Sequence, residues 1–271
     1  MNKYTGKCTA LVDFLKTEIK LMNRENTGHL DEPLAMYNSW VRHISNGVKF
    51  MLPDNGQLFE LNQEIFHFKD YLTRFMDKIN LPYPVVCLEY SLVGDRNADF
   101  VILLSDVGDK ILVKPFIYLD NGTFWIPECH AEVIKETFEL RLWFDQKSDL
   151  ASNIQQIAER FMVTVAQFLS ALSCSNTAIV DDPTRPSKTK QAIRQSKKQL
   201  PFFSYKLLTI NTAKQVPSST ASNNGSDPQH TKRAHLRRGH IRRLKDKNVW
   251  VNACAVGSKS NGEISKDYRV I

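Results

Sequence analysis

The chain is 271 residues long, 42% hydrophobic and 24% charged, with a formal net charge of +7. This is the composition of a folded soluble protein with room for one large domain or two small ones. It argues against a membrane helix, because no apolar run reaches about 18 residues. The charged stretch Met1–Lys20 also lacks the apolar core of a signal peptide, so a cytoplasmic location is expected.

Leu11, Leu15, Ile19 and Met22 recur at helical spacing, so Thr9 to Met22 reads as a helix. A second helix is expected over Glu32 to Ile44, with Pro33 in its first turn. Pro53-Asp54-Asn55-Gly56 is a turn. Gln63 to Ile79 reads as a third helix, ended by Leu81-Pro82-Tyr83-Pro84. The period then changes. Val85 to Leu92, Phe100 to Leu104, Lys110 to Leu119 and Thr123 to Ile126 are strand-like, and Asp120-Asn121-Gly122 has hairpin chemistry. One antiparallel sheet is expected from them. Ser148 to Ser173 is the strongest helical pattern, with Ser148 as its cap and a stripe from Leu150 to Leu172 that would pack on the sheet. The fold class is α+β: N-terminal helices, an antiparallel sheet and a long helix, then a small basic β-rich C-terminal unit.

Pro183 to Pro186 breaks the pattern, dividing the chain into an acidic α+β body, residues 1–182, and a basic C-terminal region, residues 183–271. Within the latter, Lys188 to Lys198 reads as a short basic helix and Phe202 to Ile210 as a strand. Residues 214–229, rich in Ser, Asn, Thr and Pro, read as a linker. Asn248 to Val256 and Ser265 to Ile271 read as short strands. Charge follows the same division. Residues 185–271 hold 19 Lys or Arg against 4 Asp or Glu, a net of +15, which leaves residues 1–184 with 17 against 25, a net of −8. Such a break suggests two units with different partners, the second facing RNA, DNA or a ribosomal surface.

The most distinctive run is His230-Thr231-Lys232-Arg233-Ala234-His235-Leu236-Arg237-Arg238-Gly239-His240-Ile241-Arg242-Arg243, which contains no acid. Lys232, Arg233, Arg237, Arg238, Arg242 and Arg243 are candidate phosphate ligands, since guanidinium forks and ammonium groups match phosphate oxygens. His235 and His240 are candidate acid and base for RNA cleavage without a metal. Their spacing of five puts them on opposite faces of a regular strand, so they converge only if Gly239 bends the chain. The plainer reading gives both histidines a structural role. Trp250 would stack on a base or, more simply, fill the core of a small sheet.

The five cysteines, Cys8, Cys87, Cys129, Cys174 and Cys254, are scattered and fit free thiols in a reducing compartment. Zinc at His230, His235, His240 and Cys254 matches no standard spacing, so no metal and no cofactor is expected. Glu89 sits within Val85 to Tyr90, where a raised pKa would mark a functional carboxylate. Strand alternation, which groups it with Cys87 and Ser91, is the commoner explanation. His130 beside Cys129 and Glu128 has no partner in sequence to complete a Cys-His arrangement. There is no P-loop, G-x-G-x-x-G, H-E-x-x-H or G-x-S-x-G.

The run His230-Thr231-Lys232-Arg233-x-His235-x-Arg237-Arg238-Gly239-His240 resembles the C-terminal signature of a phage-encoded anti-CRISPR family, the second of the type V-A inhibitors. The likeness covers about fifteen residues, continues more weakly through Val249-Trp250-Val251, and the helices-then-strands order is compatible with it. It implies a protein of phages, prophages or plasmids that recognises the nascent N-terminal peptide of a type V-A CRISPR effector and triggers loss of its messenger RNA in the bacterial host. On that resemblance the acidic body would bind a nascent polypeptide of a host protein, along a sheet edge or groove. The basic region would hold RNA or the ribosome. Two other readings stand beside it: a metal-independent, toxin-like ribonuclease using His235 and His240, and a DNA-binding regulator, weakened by the lack of an evident helix-turn-helix.

Overall fold

The computed structural model describes residues 6–25, 31–59, 67–93, 98–144, 151–183, 186–210, 233–237, 240–251, 254–256 and 258–264. For 25, 151–154, 210, 233–237, 254–256 and 258–264 it describes the backbone alone. The first helix, α1 (Lys7–Glu25), buries Cys8, Leu11, Val12 and Leu15 completely. The second, α2 (Asp31–Asn46), carries Asp31 and Glu32 in its first turn, where carboxylates suit the helix dipole. Its Trp40 meets Phe116 edge-on at 5.3 Å. Gly47 then lets the chain turn into β1 (Val48–Met51), and a Cβ there would lie 2.8 Å from Val85 Cγ1.

The turn at Pro53–Gly56 is present as a short 3-10 segment over Asp54–Gly56, with Asn55 and Gly56 at φ 62° and 64°. The third helix is shorter than its apolar pattern suggests. Only α3 (Phe68–Thr73) is helical among the described residues, and 60–66 lie outside them. The Phe75 and Met76 N–H groups still donate to Leu72 O, but the chain then leaves the axis. Ile79 is fully buried instead in the main core, with its N–H directed at Lys135 O. Tertiary burial of Ile79 thus ends the helix ahead of the Leu81-Pro82-Tyr83-Pro84 stop.

Strands β2 (Val85–Leu92), β3 (Ala98–Val107), β4 (Lys110–Tyr118) and β5 (Phe124–Trp125) form where their β-branched and aromatic runs place them. Gly122, at φ 84°, closes the turn between β4 and β5 by donating to Leu119 O. Two further strands, β6 (Cys129–Ile134) and β7 (Leu140–Phe144), continue the sheet. After α4 (Ala151–Leu172) come β8 (Thr177–Asp181), the basic helix α5 (Lys188–Ser196), capped by Ser187 Oγ, and β9 (Tyr205–Ile210).

These nine strands make one sheet in the order β7-β6-β4-β3-β2-β1-β9-β8, with β5 on β4. The four strands expected to form an antiparallel sheet do so, β2 with β3, β3 with β4 and β4 with β5, within a larger sheet that is mixed. It is antiparallel from β7 to β2, but β1 runs parallel to both β2 and β9. The connection from β1 to β2 passes through α3, and such a crossover returns the chain parallel where a tight hairpin would not. Helices α1 and α2 cover one face, packing on Cys87, Val101, Leu103, Phe116 and Tyr205. Helices α3 and α4 cover the other, over Val86, Leu88, Tyr90, Ile102 and Leu104. Burial on both faces explains why β2 and β3 read as near-continuous apolar runs. The fold is α+β.

Strand β9 lies between β1 and β8 in this sheet, and β8 and β9 sit on either side of residue 183. Beyond it come β10 (Arg233–Arg237), β11 (His240–Arg243), β12 (Asn248–Val251), β13 (Cys254–Val256) and β14 (Ser258–Ile264). They form a three-stranded sheet, β13-β10-β14, and the hairpin β11–β12. The strand expected at Ser265 to Ile271 and the linker at 214–229 lie outside the described residues.

Candidate functional site

The basic run resolves into two strands. Arg233, His235 and Arg237 lie on β10, where His235 pairs with Val256 of β13 and Ile264 of β14. His240, Arg242 and Arg243 lie on β11, with His240 opposite Val251. Lys232, Arg238 and Gly239 lie outside the described residues, as do His230 and the side chain of His235. The two histidines thus belong to strands of different sheets.

The hairpin β11–β12 is anchored to the body through one edge. Ile241 and Trp250 are buried in the main core, and Trp250 meets Phe59 edge-on at 5.5 Å. Asn176 grips the backbone of Trp250 twice, accepting its N–H and donating to its carbonyl, each at 2.8 Å. Asn248 donates to Phe75 O and to Ser173 Oγ, while its own carbonyl accepts from Ser175 N and Oγ. Trp250 is therefore a core residue, and its ring is not offered to a base.

The outer part of the hairpin is basic and exposed: Arg242, Arg243, Lys245 and Lys247, with Asp246 as the acid among them. Arg243 reaches back to the C-terminal end of α3, where it donates to Arg74 O at 2.9 Å and approaches Asp77 at 3.8 Å. A cation there suits the carbonyl end of the helix. Arg74 and Lys78 are exposed nearby in sequence, so cations from two elements collect at this end of the molecule.

Glu89, a functional candidate by position, has a structural role. It is 2% exposed and faces the N-terminus of α1. Its carboxylate accepts from Lys7 N (3.1 Å), Cys8 N (3.0 Å) and Tyr205 Oη (2.5 Å). Burial pushes its pKa up, while these donors pull it down.

A second site was not legible as a motif. Helix α2 packs over β2 and β3 and, through Trp40, on Phe116 of β4, while a cleft stays open between α2 and the Lys110–Lys114 end of β4. The cleft has a volume of about 360 Å³, with Met36, Trp40 and His43 of α2 as one wall and Lys114, His130 and Glu132 on its floor. Lys114 donates to Pro127 O (2.6 Å) and Cys129 O (3.1 Å), and its ammonium lies 5.2 Å from the Trp40 ring centroid. Burial lowers its pKa to about 8. His43 and His130 are also lowered, first by burial and then by neighbouring cations, Arg42 for His43 and Lys114 for His130. Lys110 pairs with Glu132 at 2.6 Å. His130 stacks nearly parallel on Trp143, which is 53% exposed. Strand alternation carried the signal for this cleft, because Lys110, Leu112 and Lys114 share a face of β4, and His130 and Glu132 share the matching face of β6.

Among the described residues no three His, Cys, Asp or Glu side chains gather as a metal centre requires, and no helix is long and apolar enough to cross a membrane. The AcrVA2-like family model, described as the anti-CRISPR type V subtype A2 family, matches residues 29–245. No curated protein and no solved structure matches the chain.

Proposed function

We propose, since the chain belongs to the anti-CRISPR type V subtype A2 family, that it recognises a nascent polypeptide of its bacterial host and lowers the level of the encoding messenger RNA. The target class implied by the family is a type V-A CRISPR effector. In this reading the body holds the peptide while the basic C-terminal strands hold RNA or the ribosome. The setting is the host cytoplasm, during infection by a phage or carriage of a mobile element.

The observation that supports the RNA half is the exposed hairpin tip. Arg242, Lys245 and Lys247 project from a hairpin whose other side is fixed in the core by Ile241 and Trp250. Cations on a rigid support lose less freedom on meeting phosphate than cations on a free tail. Arg233 and Arg237 on β10, and Lys232 and Arg238 beside it, extend the same charge in sequence. Arg243 contributes charge while its guanidinium also holds α3.

Polysome sedimentation tests this. Wild-type protein is expected in the polysome fractions of translating cells. Charge reversal of Arg237 and Arg238, or of Arg242, Lys245 and Lys247, is expected to shift it to the top of the gradient. Co-sedimentation of both variants at the wild-type level refutes the RNA role.

A further inference from the structure

We propose that the cleft between α2 and the open face of β3, β4 and β6 is the peptide seat, and that it selects a segment bearing an acidic side chain beside a large apolar one. The proposal rests on the nascent-peptide reading above. It adds a place and a chemistry to it.

The floor is built by register. Leu103 lies opposite Lys114, and His130 opposite Trp143. The next row runs Ser105, Leu112, Glu132 and Arg141 across the four strands. Lys114, His130 and His43 therefore surround the cleft with cationic or protonatable groups. The one carboxylate in its lining, Glu132, is held by Lys110. Of the three N–H groups of Lys114, two are given to the Pro127 and Cys129 carbonyls, which leaves one for a ligand. A carboxylate placed there receives a charge-assisted hydrogen bond in a partly desolvated site.

The apolar half of the specificity comes from Met36, 44% exposed on the α2 wall, with Trp40 and Leu112 beside it. Strand β7 pairs only with β6 among the described residues, so its outer edge can add a strand of peptide next to Trp143. A polyanion is disfavoured. Glu128 lies near Lys114, and residues 1–184 carry a net −8, which repels a phosphate chain but tolerates a single carboxylate.

The test starts from random decapeptides displayed on phage and panned on the full-length chain. Recovered peptides are expected to be enriched in Asp or Glu next to Phe, Leu or Met. A synthetic consensus peptide, measured by fluorescence anisotropy, is expected to bind about tenfold more weakly when its acid is changed to the amide. His130→Glu, at an exposed position, is expected to weaken the acidic peptide by a similar factor and the amide peptide by clearly less. The peptide-side change needs no protein variant, so a misfolded His130→Glu protein does not spoil the test. Peptides without acid enrichment, or binding indifferent to both changes, overturn the cleft assignment and leave peptide recognition standing. Failure to recover any peptide overturns both readings. Displacement of the bound peptide by poly(U) RNA gives the cleft to RNA and overturns the proposal.

Discussion

Replacing Glu89 by Leu tests the claim that this buried carboxylate is a structural clamp rather than a reactive group. Three donors converge on it: Lys7 N, Cys8 N and Tyr205 Oη. Lys7 is half-buried and its N–H can turn to water, but Cys8 is fully buried and Tyr205 is 2% exposed. The Cys8 N–H is thus left without this acceptor, at about 1–3 kcal/mol. Against that stands relief from burying a carboxylate, which reduces the net loss to roughly 1–2 kcal/mol. Glu89→Leu should therefore shift the urea midpoint clearly downward, read from the fluorescence of the tryptophans, of which Trp40 packs on the same face of the sheet.

The same residue makes a signed prediction about pH. Burial raises the folded-state pKa of Glu89 above the ordinary 4.5, so the folded chain holds this proton more tightly than the unfolded chain does. The associated stability is fully present below about pH 4.5 and is lost as pH rises through the folded value. Glu89→Gln removes the titration. The stability of wild type minus that of Glu89→Gln should therefore decline with rising pH across this window. A difference that grows with pH, or a Glu89→Leu protein within about 0.5 kcal/mol of wild type, refutes the account.

Two further perturbations follow from the geometry. Trp250→Ala should cost about 3–5 kcal/mol in denaturant unfolding, because it empties the space against Phe59; full retention of stability would mean that the hairpin is not anchored there. Lys114, lowered to about 8, should regain its proton when a carboxylate binds beside it, so calorimetry of an acidic peptide at about pH 8.5 in buffers of different ionisation enthalpy should show proton uptake; enthalpies that do not depend on the buffer would remove Lys114 from the site.

What could be read from the sequence depended on how local the determining contact is. Helices α1, α2 and α5, and strands β2 and β4, announce themselves through period, caps and turns, each held within a few residues. The parallel placement of β1 against β2 and β9 does not, because it is fixed by pairs such as Phe50 with Leu88 and Lys206. The early end of α3 is decided by the burial of Ile79 beneath the sheet. The cleft had the same obstacle. His130 had no visible partner because Lys114 and Trp143 reach it only through the β4–β6–β7 register. The family signature, by contrast, is a contiguous run and was legible at once, although much of it falls on residues 230–239, whose side chains lie outside the described set.

The charge division has a consequence once the topology is known. Residues 185–271 carry the net +15, yet β9 from this region fills the place between β1 and β8, and Trp250 closes the core beside Phe59. Cutting the chain near residue 183 would leave β1 with an open edge and would strip the packing from Phe59. Strand β9 and the β11–β12 hairpin therefore share the hydrophobic core of the body. On the function proposed above, peptide bound in the cleft of α2 and phosphate bound at the β11–β12 tip would act on one cooperative unit. A nascent peptide and the message that encodes it would then be held by one body at a fixed separation. That geometry, more than the charge itself, would make recognition of a peptide reportable to its own RNA.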